Sequence, residues 1–114
     1  MGEEQLTIDV GPGWECVTLR LIGEVDLLTA PLVRDAGLAA TRQHALSIRL
    51  DLSGVTFMDL AGLDAILATR RRAFRDGVLV HLVEPGRNVM RVLEATGTDR
   101  LFTITRDETA EDVA

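Results

Sequence analysis

The spacing of apolar residues changes along this chain, and each spacing predicts an element. Leu6, Ile8 and Val10 alternate with polar residues from Gln5 to Val10, the period-two pattern of a strand with one covered face. Gly11-Pro12-Gly13 follows, and proline with glycine after it suits the central positions of a tight turn. The pattern therefore predicts a hairpin into a second, antiparallel strand over Trp14 to Ile22. A further strand is expected from Leu46 to Leu52, where Leu46, Ile48, Leu50 and Leu52 share a face. Ser53-Gly54 end it in this reading, leaving a polar loop from Ser53 to Asp59. Val78 to Val83 and a short Leu101 to Thr105 complete the predicted strands.

Helical spacing marks the stretches between them. Leu32, Val33, Ala36, Ala39 and Ala40 form one apolar side of a helix that Thr29 caps and whose first turn tolerates Pro31. A loop from Gly23 to Leu28 leads into it. A second helix is expected from about Ala61 to Asp76, with Leu63, Ile66, Leu67 and Phe74 along its stripe, Asp59 as N-cap and Gly77 as stop. Arg87 to Thr96 reads as a third, with Val89, Val92, Leu93 and Thr96 inward and Gly97 at its end.

Strands that alternate with helices need crossover connections, so the expected class is α/β. The expected architecture is a mixed sheet of about four to five strands covered by about four helices. In such folds the loops at the C-terminal ends of parallel strands carry function. The loops at 23–28 and 53–59 are therefore expected to share one surface.

Composition narrows the picture. A length of 114 residues suits a single domain, and an aromatic content of 4% makes its core aliphatic. The net charge of −6 disfavours nucleic acid and anionic membrane surfaces as partners. Part of it is local to Asp107, Glu108, Glu111 and Asp112, and residues 105–114 are expected to be a frayed turn or a disordered acidic end. Cys16, the one cysteine, has no internal disulfide partner and is expected to be a buried thiol. No apolar run approaches the length of about 20 residues that spans a bilayer, and Met1-Gly2-Glu3-Glu4-Gln5 does not resemble a signal peptide. A cytoplasmic protein with no membrane insertion is expected.

Candidate chemistry is sparse. There is no nucleophile beside a base, no phosphate-cradling glycine loop, and His44 and His81 stand apart from any metal-ligand spacing, so neither an enzyme nor a cofactor is expected. Asp26 and Asp59 read better as a polar loop residue and a helix cap than as a paired acidic site. Ser53 reads as a turn residue and Thr56 as a loop residue. Arg70-Arg71-Arg72 with Arg75 reads as a solvated helix face. Gly62 stands in the first turn of a helix, where glycine costs about 1 kcal/mol relative to alanine. Close backbone approach to a neighbouring strand or to a partner would each explain it.

Two blocks, Leu21-Ile22-Gly23-Glu24-Val25-Asp26 and Leu50 to Asp59 with Gly62-Leu63, stand in the strand and helix context of a STAS domain, and the chain resembles that family over nearly its whole length. It is most similar to the stand-alone bacterial members, the anti-sigma factor antagonists. The resemblance implies competition: the antagonist binds an anti-sigma factor with a kinase-like ATPase fold, which then releases its sigma factor to RNA polymerase. It also implies a partner surface at Asp26, Ser53, Thr56, Asp59, Leu60, Ala61, Gly62 and Leu63. In the usual pattern the residue after the aspartate matching Asp59 is a serine that the anti-sigma factor phosphorylates, adding about −1.5 to −2 charges that drive the partner off. Here Leu60 and Ala61 follow Asp59, and neither has a hydroxyl. The chain then reads as an antagonist without phosphorylation control at the usual site. The alternative is a divergent STAS module serving as a scaffold or as a subunit of a lipid-transport complex.

Overall fold

Five strands lie side by side in chain order in the computed structural model, which describes residues 5–11 and 13–106. The elements are β1 (Leu6–Gly11), β2 (Cys16–Val25), α1 (Ala30–Thr41), β3 (Ser47–Met58), α2 (Leu60–Arg75), β4 (Leu79–Val83), α3 (Arg87–Thr96) and β5 (Thr103–Thr105). β1 pairs antiparallel with β2, as the hairpin reading expects, and the other pairings are parallel. The sheet is thus mixed and the class α/β. Three α-helices and one 3-10 turn, Thr98–Leu101, stand where about four helices were expected. Pro12 and the acidic stretch 107–114 lie outside the described residues, and Thr105, counted by the sequence both in the last strand and in the acidic end, closes β5.

Register makes the two faces of the sheet unlike. Val10, Leu19, Leu50, Leu82 and Ile104 stand opposite one another across all five strands, and Leu19, Leu50 and Leu82 are buried on the helix-covered face. The next row, Asp9, Arg20 and Asp51, lies on the other face, where Arg20 Nε donates to Asp51 Oδ2 at 3.1 Å. α1 and α2 pack closely because Gly37 has no side chain: a Cβ there would run into the side chain of Thr69, whose hydroxyl bonds Ala65 O in its own helix. No helix of the described residues is long and apolar enough to cross a membrane.

Several apolar positions point elsewhere than their spacing suggests. Leu46 precedes β3 and is exposed, and Leu32 lies on the outer side of α1, whose buried stripe is Ala30, Val33, Gly37, Ala40 and Thr41. Phe74 is exposed beside Arg70, whose guanidinium stands 5.9 Å from its ring centre. Thr96 is exposed and turns its hydroxyl back to Val92 O at 2.9 Å. Cys16 is half-buried rather than buried.

The largest correction concerns β3. Ser53-Gly54 do not end it; the strand runs on to Met58. Arg20 pairs with Asp51 but Ile22 with Gly54, and Gly23 pairs with Val55 but Glu24 with Phe57, so β3 carries an extra residue at two places. Each extra residue is a bulge, which shifts the inward position by one. Inward residues therefore change from period two, at Ile48, Leu50 and Leu52, to period three, at Val55 and Met58. β2 likewise continues through Gly23 to Val25 instead of opening into a loop. Gly23 has φ +124°, and a Cβ there would collide with Gln5 O, which accepts from Glu24 N–H at 2.9 Å.

Candidate functional site

The bulged part of β3 carries its end alongside the end of β2. Val25 pairs with Met58, and Asp59 N–H donates to Val25 O at 3.1 Å, so two strand-to-helix junctions stand side by side. Asp59 is extended, at φ −109° and ψ −172°, and caps α2: its Oδ1 accepts from Gly62 N–H at 2.9 Å and its carbonyl from Leu63 N–H at 3.0 Å. A Cβ on Gly62 would lie 2.5 Å from Val25 O. The glycine is thus required by close approach to the neighbouring strand.

Asp26 organises the other junction. Its Oδ1 accepts from Leu28 N–H at 3.0 Å and Thr29 N–H at 3.1 Å. Thr29 occupies the N-cap position of α1, but its hydroxyl does not cap the helix; it donates to Glu24 O at 2.8 Å and accepts from Asp26 N–H at 2.9 Å. The threonine thereby ties the loop to the end of β2. Both aspartates are committed to backbone donors, and among the described residues no group of three or more His, Cys, Asp or Glu is placed to hold a metal ion.

What this end of the sheet presents to solvent is apolar. Leu27 and Leu28 are 74% and 73% exposed on the first junction, Leu60 is 66% exposed at the start of α2, and Phe57 is 47% exposed at the end of β3. Asp59 and Ala61 are half-buried beside Leu60, while Gly62 and Leu63 are buried beneath it and support the surface from inside. Leu27, Leu28 and Phe57 were missed by reasoning from spacing, since they fall in stretches taken as polar loops. Adjacent leucines directly after Asp26, outside any periodic stripe, were the available signal.

Ser53 and Thr56 are placed differently. Ser53 lies six positions before Asp59 along β3, about 15–20 Å away at strand rise. Its hydroxyl donates to Asp51 Oδ1 at 2.7 Å and its N–H to the same oxygen at 3.0 Å. Partial burial would raise the Asp51 carboxyl, but both Ser53 donors and the Arg20 guanidinium outweigh it and hold the pKa below its ordinary 3.8. Thr56 donates its hydroxyl to Gly23 O at 3.3 Å, and its carbonyl accepts from Asn88 Nδ2 at 3.3 Å. Thr56 thus links β2, β3 and the start of α3. Chemically the site offers apolar contact area on a rigid frame, the make-up of a protein-binding surface.

The STAS domain family matches the chain over residues 7–111. The anti-sigma-B factor antagonist of Bacillus subtilis (strain 168) is 24% identical over 99 residues, covering 87% of this chain and 90% of that protein. The crystal structure of an anti-sigma factor antagonist from Mycobacterium paratuberculosis superposes with a TM-score of 0.79 at 26% identity, over 88% of this chain and 85% of the other. The unphosphorylated form of the anti-sigma factor antagonist SpoIIAA shares the fold, with a TM-score of 0.76 at 23% identity over 93% of this chain and 94% of that one.

Proposed function

The chain belongs to the STAS domain family, and from that premise we propose that it acts as an anti-sigma factor antagonist, binding an anti-sigma factor of kinase-like ATPase fold and so freeing a sigma factor for transcription. Two named relatives that are anti-sigma factor antagonists along nearly their whole length support this reading. The observation that carries it is the exposed apolar end of β2 and β3, and the resemblance puts Leu60 there, at the position where it implies a phosphorylated serine. Binding is the activity in this reading. A cytoplasmic place, with no direct contact to nucleic acid, is part of the proposal.

Control by phosphate at the usual position is absent from it. Leu60 and Ala61 lack hydroxyls, Ser53 Oγ is held by Asp51, and Thr56 Oγ1 by Gly23 O. The complex is therefore constitutive, its lifetime set by apolar contact. Burying one leucine side chain is worth about 1.5–3 kcal/mol.

Calorimetric titration against kinase-like anti-sigma factors from the same cell tests the proposal. The affinity should be equal with and without ATP, and Leu60→Asp should weaken it by about tenfold or more while leaving the unfolding midpoint unchanged. Failure of every such factor to bind would sink the antagonist reading. A stoichiometric partner of another kind, such as a transporter ATPase, would identify a scaffold or lipid-transport module instead. Replacing Leu60 and Ala61 together by serine should restore ATP-dependent phosphate uptake from the bound kinase.

A further inference from the structure

β1 is an edge strand, paired on one side with β2 and with none of the described strands on the other. Gln5 O accepts from Glu24 N–H, so the backbone groups of Gln5 face β2. By the alternation of an antiparallel ladder those of Thr7 and Asp9 do too. The N–H and C=O groups of Leu6, Ile8 and Val10 therefore point out along the free edge. Natural edges are usually blocked by lysine, proline or a bulge. From Leu6 to Val10 the one charged residue is Asp9, and the pairing with β2 is regular.

Beside this edge lies a groove of about 420 Å³, lined by Gln5, Leu6, Thr7, Ile8, Thr29 and Leu32. Leu32, in its lining, and Val10, farther along β1, are exposed although both are large and apolar. Leu6, Ile8 and Leu32 supply half of its lining and would meet the apolar side chains of one more strand.

We infer that the strand is β1 of a second copy, paired antiparallel across a two-fold axis at Ile8. The sequence Leu6-Thr7-Ile8-Asp9-Val10 complements itself in that register. Ile8 faces Ile8, Leu6 faces Val10, and Thr7 faces Asp9. All the outward backbone groups then meet outward partners, in about six hydrogen bonds. The apolar side chains of both strands lie on the helix-covered side, over the groove and Leu32. On the open face each Asp9 meets a threonine hydroxyl and never its own copy. A one-residue slip in the pairing, which moves the axis by half a residue, presents backbone groups already bonded to β2. Moving the axis by one residue still joins outward groups, but on Asp9 it sets the two carboxylates against each other, and on Thr7 it sets Val10 against Glu4. Moving it by two sets Ile8 against Glu4, a charge, or Pro12, which has no N–H to donate. The contact is isologous and closes at two copies.

The strands of such a dimer form one continuous sheet. Because the two copies of β1 run in opposite directions, the ends carrying Leu60 point opposite ways and both stay open. The dimer is independent of whichever partner binds there.

Sedimentation equilibrium of the full chain over a concentration series tests this. A monomer–dimer equilibrium is expected. Thr7→Asp sets a carboxylate against Asp9 twice per dimer and should weaken the dimer about threefold or more. Thr7→Lys sets an ammonium there twice and should tighten it by a similar factor. Thr7 is exposed, so both variants fold, which circular dichroism checks. Val10→Pro removes an outward N–H at a position where an edge strand accepts proline, and should lower dimer at every concentration. A chain that stays monomeric throughout the series overturns the inference. So does a dimer whose affinity the two Thr7 variants leave unmoved or shift in the same direction, and so do open-ended species that grow with concentration, as pairing of β1 with the β5 edge would give.

Discussion

The two halves of β3 are built for different ends. From Ser47 to Asp51 the strand lies between β2 and β4 in unbroken register, and its inward residues, Ile48 and Leu50, are fully enclosed. Beyond Asp51 β4 has ended, at Val83, and β3 continues with β2 alone on one side and Asn88 of α3 reaching Thr56 O on the other. Here it bulges twice, and its inward residues stand three apart. The first half makes core. The second is a bent arm that brings Asp59 to the end of β2 and aims the start of α2, which is why Leu60 stands at the same end of the sheet as Leu27 and Leu28.

Substitutions on the two halves should therefore differ in size. Leu50→Ala opens a cavity between two neighbouring strands and under the helices, and should cost about 3–5 kcal/mol in chemical denaturation. Val55→Ala, on the arm, removes less volume where the surroundings can close in, and should cost about 1–2 kcal/mol. A cost at Val55 equal to that at Leu50 would show that the arm is core like the rest.

The first half was legible in the sequence and the second was not, for one physical reason. Alternation reports a strand only while each residue has one partner. Leu46, Ile48, Leu50 and Leu52 alternate, so the strand was found, even though Leu46 itself lies outside it. Leu52, Val55 and Met58 face the same way at period three because of the bulges, and spacing alone makes that stretch look like a loop. The fold class, the hairpin, the parallel order and the Asp59 cap survived, since caps and crossovers depend on residue type and element order. At the site, the junctions that follow β2 and β3 stand side by side, while Ser53 lies well back along β3, because counting a loop instead of an extended strand underestimates its distance. Leu27, Leu28 and Phe57 escaped notice because no periodicity marks residues that face solvent.

Gly54 stands between the halves, and its small size keeps the first bulge close to β2. A Cβ there would lie 3.1 Å from both Ile22 Cγ1 and Leu21 O. The side chain of Ile22 is exposed and can yield, whereas the carbonyl belongs to the ladder. Gly54→Ala should cost about 1 kcal/mol by thermal unfolding. If it costs nothing, the bulge does not depend on a glycine.

Asp51 marks the change from one half to the other, and its effect is the smallest and the most dependent on pH. Its carboxylate accepts from Ser53 N–H and Oγ just before the bulge and pairs with the half-exposed Arg20. Because these donors depress the folded pKa below 3.8, the stabilisation they give is present above that value and is lost as pH falls through the lower, folded one. Asp51→Asn should therefore cost about 0.5–1 kcal/mol at pH 7, the exposed Arg20 adding little through solvent. The gap between wild type and variant in urea denaturation should narrow as pH falls below the ordinary carboxylate value. A gap that stays constant with pH would mean that Asp51 acts by shape rather than charge, and that the bulge beside it holds without the ion pair.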